Sequence, residues 1–157
     1  MPTLKDEFKP IQIVHMALCA GLFFIIILLK YISDKQKITS DDDSFIHYIG
    51  VGIGVISIVG SRILFMNSIQ QAKVTSDFRS KINFYRTAII QQSAMLEGAG
   101  MINIILYFIF GNELNFAFSL AILFLMIFRR PTIENMIKFT VDEYSNQQKI
   151  NENTIVD

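Results

Sequence analysis

The chain has 157 residues with a formal net charge of +0, and 52% of them are hydrophobic, with a mean hydropathy of +0.42. This charge balance gives no reason to expect a nucleic-acid partner, and the single cysteine, Cys19, excludes a disulfide within the chain. No Cys/His set has the spacing of a zinc site, so we expect neither a metal nor a cofactor. The apolar residues occur in four long blocks separated by polar segments, a pattern typical of helical membrane proteins.

A short polar arm, residues 1–10, with one interfacial helical turn as an alternative for its structure, precedes a first predicted membrane span at 11–29. His15 lies near the start of this span, and nothing else in the span pairs with it. We therefore interpret His15 as a polar contact at the level of the lipid headgroups, with a proton relay as the less favoured alternative. Residues 30–44 form a polar loop, and its three consecutive aspartates lack the spacing of a calcium-binding EF-hand. This favours a solvated acidic loop.

The second predicted span, residues 45–66, carries small residues on one helical face. They recur at i, i+4, i+7 and i+11, which places them on one side of a helix: Gly50, Gly54, Ser57 and Ser61. Because lipid supplies no hydrophobic force between helices, such a face indicates close packing on a neighbouring helix. We expect this helix to continue to about Val74 and to turn at 75–77, where polar residues favour a bend.

The third predicted span, residues 88–110, contains one ionisable residue, Glu97. Counting from Ala88 places Glu97 about 14 Å into a hydrocarbon layer of about 30 Å. A carboxylate at that depth is costly and is a candidate functional residue. Gly98 and Gly100 follow it, and we expect both to thin the helix for packing against a neighbour.

The fourth predicted span, residues 114–128, follows a tight turn at 111–113. Its helical length of about 22 Å is less than the thickness of the hydrocarbon layer. It would therefore thin the bilayer locally, extend Arg129 and Arg130 to the headgroups, or include Asn112 and Glu113 in the span, with a re-entrant segment as a further alternative. Beyond it we expect a short interfacial helix at 131–144 with a partly apolar face, and a disordered tail at 145–157.

Together these elements predict an all-α membrane protein in which residues 11–130 form an antiparallel four-helix transmembrane bundle with a long central hairpin. Lysine and arginine are distributed unevenly between its two sides. Ten lie on the side of both termini and the 67–87 loop, and three lie on the other side. Because positive charge in short loops favours the cytoplasm, both termini are predicted to be cytoplasmic.

Glu97 has candidate partners on the other arm of the hairpin. When the two helices are aligned by depth, Glu97 is level with Ser57, and Arg62 is level with Gln92. Arg62 is then about 7 Å from Glu97 along the axis, a gap that an extended arginine covers. This predicts either a structural ion pair or hydrogen-bonded carboxyl that orients the hairpin, or a titrating carboxylate that carries protons or ions. In a further alternative, Arg62 extends to cytoplasmic lipid phosphates.

Two segments of the hairpin carry a resemblance. The stretch at 49–61, IGVGIGVISIVGS, is rich in glycine, and in the stretch at 79–110 a basic segment leads to a central glutamate followed by small and then aliphatic residues. They resemble the two helices of the proteolipid c subunit of rotary ATP synthases. The resemblance implies that the 67–87 loop is cytoplasmic and that Glu97 corresponds to the ion-binding carboxylate of that family. Spans one and four have no counterpart in that hairpin.

Two short motifs, Leu96-Glu97-Gly98 and Arg130-Pro131-Thr132, resemble features of small, uncharacterised four-span bacterial membrane proteins. This second resemblance implies a location in the bacterial inner (cytoplasmic) membrane and carries no known activity.

Two functions follow as hypotheses. The first is a non-enzymatic accessory or assembly subunit of a larger membrane complex, whose partners are lipid and other membrane subunits or further copies of the chain. The second is a c-subunit-like oligomer that binds or translocates protons or ions through Glu97. We do not expect an enzyme, because the sequence has no Ser/His/Asp set, no H-E-x-x-H and no glycine-rich phosphate loop.

Overall fold

The computed structural model describes residues 4–36, 44–75 and 77–137. Every secondary-structure element in these ranges is a helix, which confirms the predicted all-α class. The helices are α1 at Leu4–Gln36, α2 at Ser44–Val74, α3 at Phe78–Phe110, α4 at Glu113–Phe128 and α5 at Ile133–Ile137.

Three of these helices are long and apolar enough to cross a membrane, over Glu7–Ser33, Tyr48–Val74 and Arg79–Phe110. Helix α4 is also apolar but shorter, with 16 residues. Large apolar side chains are exposed along α1 and α2, among them Phe24 and Ile56. Because a soluble protein rarely exposes so much contiguous apolar surface, these helices support a membrane location.

Helix α1 begins before the predicted span. It starts at Leu4 and includes Pro10, so the described residues before the span continue it as helix and do not form a separate arm. A proline inside a helix removes one backbone hydrogen bond and costs about 3 kcal/mol. Phe8 and Ile11, on either side of the proline, are buried against α3 and α5, and this packing helps to offset that cost.

The loop predicted after span one is helical in its first part. Helix α1 continues to Gln36, well into the segment that the sequence assigns to a loop. Residues 37–43, with the three aspartates, lie outside the described residues. The interpretation of that acidic segment therefore stays a prediction.

Asp77 organises the turn between α2 and α3. Helix α2 ends at Val74, as predicted. The Asp77 carboxylate caps α3 by accepting hydrogen bonds from the backbone N–H groups of Arg79 at 3.4 Å and Ser80 at 2.9 Å. It also accepts from the Ser80 hydroxyl at 2.7 Å. These hydrogen bonds, the one from the Ser80 side chain foremost, hold the pKa of the Asp77 carboxyl below its usual value.

The turn between α3 and α4 lies where the sequence predicts it. Gly111 ends α3 in the left-handed conformation, with φ 71°, and its N–H donates to the carbonyl of Tyr107 at 2.7 Å. Glycine suits this position because it has no Cβ to oppose a positive φ. Asn112 then caps α4, its Oδ1 accepting from the N–H of Leu114 at 2.8 Å.

Helix α3 is the central helix. It packs against α1, α2 and α4, and α4 in addition contacts α1 and α2. The main apolar core lies where α1, α3 and α4 meet, and its buried members are Leu22, Ile26, Leu96, Ala99, Ile104, Tyr107, Ile122, Leu123 and Met126. The position and rotation of α3 therefore decide which side chains can meet.

A second apolar cluster lies at the end of the molecule that holds the α2–α3 turn. It brings α5 against α1 and α3, and its buried members are Phe8, Ile11, Tyr85, Ile89 and Met136. Helix α5 follows Thr132, whose carbonyl accepts from the N–H of Met136 at 3.2 Å. Pro131 thus precedes the described helix and is not in its first turn. The rest of the predicted interfacial helix and tail, residues 138–157, lies outside the described residues.

Candidate functional site

Glu97 lies on the side of α3 that faces α1. Its Oε1 is 3.2 Å from the position that a Cβ atom on Gly21 would occupy. The missing side chain of Gly21 therefore leaves the space into which the carboxyl extends. Within the described part of the chain, the half-buried carboxyl forms no hydrogen bond and no ion pair. The single glycine in span one is the only sequence feature that marks this contact, and the periodicity of apolar residues does not reveal which residue it faces.

Polar side chains continue from Glu97 along the interface between α1 and α3. A hydrogen bond of 2.9 Å joins His15 Nδ1 to Ser93 Oγ, and His15 Nε2 lies 3.7 Å from Cys19 Sγ. His15 and Cys19 are four residues apart on α1, as are Ser93 and Glu97 on α3, so each pair shares a helix face. His15 is buried. Its partners are Ser93 on span three and Cys19 on span one, so the expectation that nothing in span one pairs with His15 is wrong.

Arg62 does not pair with Glu97, so that alternative for the carboxyl is wrong for the described structure. The Arg62 guanidinium carbon lies 5.7 Å from the ring centroid of Phe65, and the side chain lines a cavity with Arg129 and Arg130. The side chain of Arg62 is exposed. Its guanidinium thus belongs to a different site from the carboxyl of Glu97.

The rotation of α3 explains this difference. A Cβ on Gly60 would lie 2.8 Å from Met95 Cε, so Met95 marks the side of α3 that faces α2. Glu97 comes two residues later and is therefore about 200° around the helix. It points away from α2 even though alignment by depth places it level with Ser57. Depth follows from counting residues, whereas rotation depends on packing.

Helix α2 presents its small residues to α3 and α4. A Cβ on Gly50 would lie 2.5 Å from a side-chain carbon of α3, and one on Gly54 would overlap the ring of Phe118 on α4. Ser57 and Ser61 are both buried. The four positions with helical spacing thus share one covered face, where the two glycines allow neighbouring side chains to approach the backbone.

Two side-chain hydrogen bonds reach the backbone at these thinned positions. Asn103 Nδ2 donates to the carbonyl of Gly50 at 3.0 Å, and Ser119 Oγ donates to the carbonyl of Gly100 at 3.0 Å. Gly100 also lies against α1, since a Cβ there would be 2.7 Å from Leu22 Cδ2. The central helix is therefore joined by polar contacts to both α2 and α4.

Gly98 is not packed like Gly100. A Cβ on Gly98 would meet no atom within 4 Å in the described structure. The two glycines are two positions apart and so lie about 200° apart around the helix, which means that only one of them can face α1. The predicted packing role of Gly98 has no partner inside the described chain.

Gln92 and Arg62, which alignment by depth places level, both line a cavity of about 390 Å³. The cavity lies between α2, α3 and the segment that joins α4 to α5, which contributes Arg129 and Arg130. Gln92 Nε2 and Arg129 Nη1 are buried and have no hydrogen-bond partner among the described residues. Burial, with the nearby charge of Arg62 as a smaller cause, lowers the pKa of the Arg129 guanidinium.

At the opposite end of the molecule, Lys30 joins α1 to the α3–α4 turn. Lys30 Nζ donates to the Tyr107 hydroxyl at 2.7 Å and lies 3.3 Å from Glu113 Oε1. It is also 4.9 Å from the ring centroids of Tyr107 and Phe116. These contacts hold α1 beside α3 at the level where the apolar segment ends.

The described residues contain no group of three His, Cys, Asp or Glu side chains placed to hold a metal ion. What the arrangement offers is a polar contact line between α1 and α3, a close-packed face between α2 and its neighbours, and an arginine-lined cavity at one end. No protein family, curated protein or solved structure matches the chain.

Proposed function

We propose that helices α1–α4 form an antiparallel four-helix transmembrane bundle that serves as a non-enzymatic accessory or assembly subunit of a larger membrane complex. The contacts of α3 with α1, α2 and α4 support the bundle. The exposed apolar faces of α1 and α2 support its insertion in lipid.

The outward face of α3 is the observation that carries this proposal. Gln91 and Ala94 are exposed there, and Gly98, on the same face, has open space around it. Small residues on a helix surface let the backbone of another helix approach closely in a membrane. An amide such as that of Gln91 also favours a hydrogen-bonding partner when it is surrounded by apolar groups. We infer that a transmembrane helix of another subunit covers this face.

A matched pair of glycines tests the proposal. A Cβ on either Gly98 or Gly52 would meet nothing within 4 Å, so Gly98→Leu and Gly52→Leu should both leave the fold of the chain intact. We expect Gly98→Leu to lose the subunit that co-purifies in mild detergent, because the new side chain fills the space for the partner helix. Gly52→Leu on α2 should retain it. Equal retention by both variants would refute the contact face, and the absence of any co-purifying subunit would refute the complex.

The bias of lysine and arginine supports an orientation with both termini in the cytoplasm of a bacterial cell. In a Cys19→Ser background, a cysteine introduced by Ile38→Cys should react with an impermeant thiol reagent added outside the cell. A cysteine introduced by Arg79→Cys should not react. Equal labelling of the two positions contradicts this orientation.

The second candidate function is a c-subunit-like oligomer that binds protons or ions through Glu97. The observation that favours it is the carboxyl without a hydrogen bond or ion pair in the described chain, aligned with His15 and Ser93. Helix α1 covers this carboxyl, so an ion would reach it between α1 and α3. A hydrophobic carbodiimide, which modifies protonated carboxyls in membranes, should label Glu97 if this candidate is right, and Glu97→Gln should abolish the label. Lack of labelling would eliminate it.

A further inference from the structure

The cavity at the end of the α2–α3 hairpin gathers three guanidinium groups from two separate parts of the chain. Arg62 comes from α2, and Arg129 and Arg130 come from the segment after α4. Like charges that face one cavity repel each other, and Arg62 acts on Arg129 in this sense. An arrangement of this kind is favourable when an anion occupies the space between the charges.

The polar atoms around the cavity include donors without acceptors. Arg129 Nη1 and Gln92 Nε2 are buried and unpartnered within the described residues. A buried donor without an acceptor is costly, so such a pair is uncommon in a folded protein unless water, an ion or another ligand satisfies it. No carboxylate is among the described residues that line the cavity, so no acidic side chain there neutralises the arginines.

The geometry points to a binding site for a phosphate group, and we propose that Arg62, Arg129 and Arg130 hold an anionic phosphate ligand in this cavity, with Gln92 as a neutral donor. Arginine suits this role because its planar fork of N–H groups matches the oxygens of a phosphate. Lipid headgroups and free phosphate share this chemistry.

The position of the cavity favours a phospholipid as the source of the phosphate. Arg129 follows directly after Phe128, the last residue of the apolar helix α4, which is the level at which lipid headgroups lie. Phe65 and Phe128 line the same cavity, so its walls combine cationic and apolar groups. An anionic phospholipid, with a charged headgroup and apolar chains, fits both kinds of wall.

The test uses the full chain in mild detergent, with three probes added separately: phosphatidic acid, phosphatidylcholine and inorganic phosphate. Native mass spectrometry counts the bound molecules, and circular dichroism follows the thermal midpoint. We expect one phosphatidic acid to stay bound and to raise the midpoint, and phosphatidylcholine to do neither. Loss of one charge-assisted contact in Arg129→Gln should weaken this binding about tenfold.

The control is Arg86→Gln, which removes the same charge from an exposed residue of α3 outside the cavity. Its binding of phosphatidic acid should equal that of the unchanged chain. Without ligand, Arg129→Gln should melt no lower than the unchanged chain, because it removes repulsion with Arg62. That comparison separates a lost ligand from a lost fold, and Arg130→Gln provides a second variant in the cavity.

Each outcome has one meaning. Retention of phosphatidic acid, lost in Arg129→Gln and kept in Arg86→Gln, supports a lipid headgroup site. Saturable inorganic phosphate binding with the same dependence on Arg129 supports the phosphate site with a soluble source. Equal binding of phosphatidylcholine, equal weakening by Arg86→Gln, or no binding of any probe would overturn the proposal.

Discussion

Helix α3 meets α2 and α1 through two interfaces of different chemistry. Towards α2, glycines remove side chains, so that Gly60 faces Met95 and Gly50 accepts a hydrogen bond from Asn103. Towards α1, side chains with polar ends meet each other, as His15 and Ser93 do. The first interface depends mainly on close approach at glycines, with the Asn103 hydrogen bond as its polar contact. The second combines an apolar core and the close contact of Gly100 with Leu22 with pairs of polar side chains. Because no hydrophobic force acts between helices in lipid, close packing and hydrogen bonds of these two kinds are what stabilise their association.

The difference decides what a substitution should do on each side. Added volume should be most damaging on the α2 side, because a Cβ on Gly50 or Gly54 would approach a neighbouring side chain more closely than one on Gly100 would on the α1 side. Removal of a polar atom should cause a smaller loss on either side, because hydrogen bonds between membrane helices contribute on average about 0.6 kcal/mol.

The largest effect is expected for Gly54→Leu. A Cβ at this position already overlaps the ring of Phe118, so a leucine should force α2 and α4 apart and cost about 1–3 kcal/mol. Gly52→Leu, on the same helix with open space, is the control and should cost nothing measurable. Thermal unfolding in detergent provides the measurement. Similar midpoints for the two variants would show that the small-residue face is not closely packed.

The next effect is expected for Asn103→Ala. The Asn103 amide is fully buried and donates to the carbonyls of Gly50 at 3.0 Å and Ala99 at 2.9 Å. Its loss should lower the free energy of unfolding by about 1 kcal/mol, within the range measured for polar contacts in membranes. Asn83→Ala removes the same side chain from an exposed position of α3 and should have no effect. Equal stabilities of the two variants would contradict the role of Asn103 in the α2 interface.

A smaller effect is expected on the α1 side, for the pair His15 and Ser93. A double-mutant cycle with His15→Ala and Ser93→Ala should give a coupling free energy of about 0.6 kcal/mol, the average for hydrogen bonds between membrane helices. The cycle is read from unfolding free energies of the four proteins. A coupling of zero would mean that α1 is not held at this contact.

The smallest effect is the coupling between Arg62 and Glu97. Because these residues lie at different sites, Arg62→Met and Glu97→Gln should change the free energy of unfolding additively, to within about 0.3–0.5 kcal/mol. A stronger coupling would place Glu97 on the α2 side and break the distinction between the two interfaces. Additive changes in the free energy of unfolding would support the distinction between the two interfaces.

The elements of the fold could be predicted because their signals are local. The end of α2 at Val74 and the turn at Gly111 follow from polar and glycine residues at those positions, and the structure has both. The helical structure of residues 4–10 could not be predicted in this way, because a proline such as Pro10 indicates a helix boundary. The buried contacts of Phe8 and Ile11, which keep α1 helical there, are made by distant parts of the chain.

The candidate site could be predicted in part. Alignment by depth places Arg62 and Gln92 at one level, because the rise per residue is constant along a helix, and both side chains line the same cavity. It could not show that Arg129 and Arg130 line the same cavity as Arg62, because the turn after α4 brings them there. The contact of Gly21 with Glu97 could not be predicted either, because a single glycine in an apolar helix has many possible roles.

By itself, the sequence determined that the chain is helical, which segments are apolar enough to cross a membrane, and which face of α2 is small. These properties follow from the order of residue types along the chain and from the fixed geometry of a helix. Only the tertiary structure decided that Glu97 faces Gly21, that His15 meets Ser93, and that Arg62 joins two later arginines in a cavity. The reason is rotational: how far each helix turns about its own axis is settled by all of its neighbours together, and no single segment contains that information.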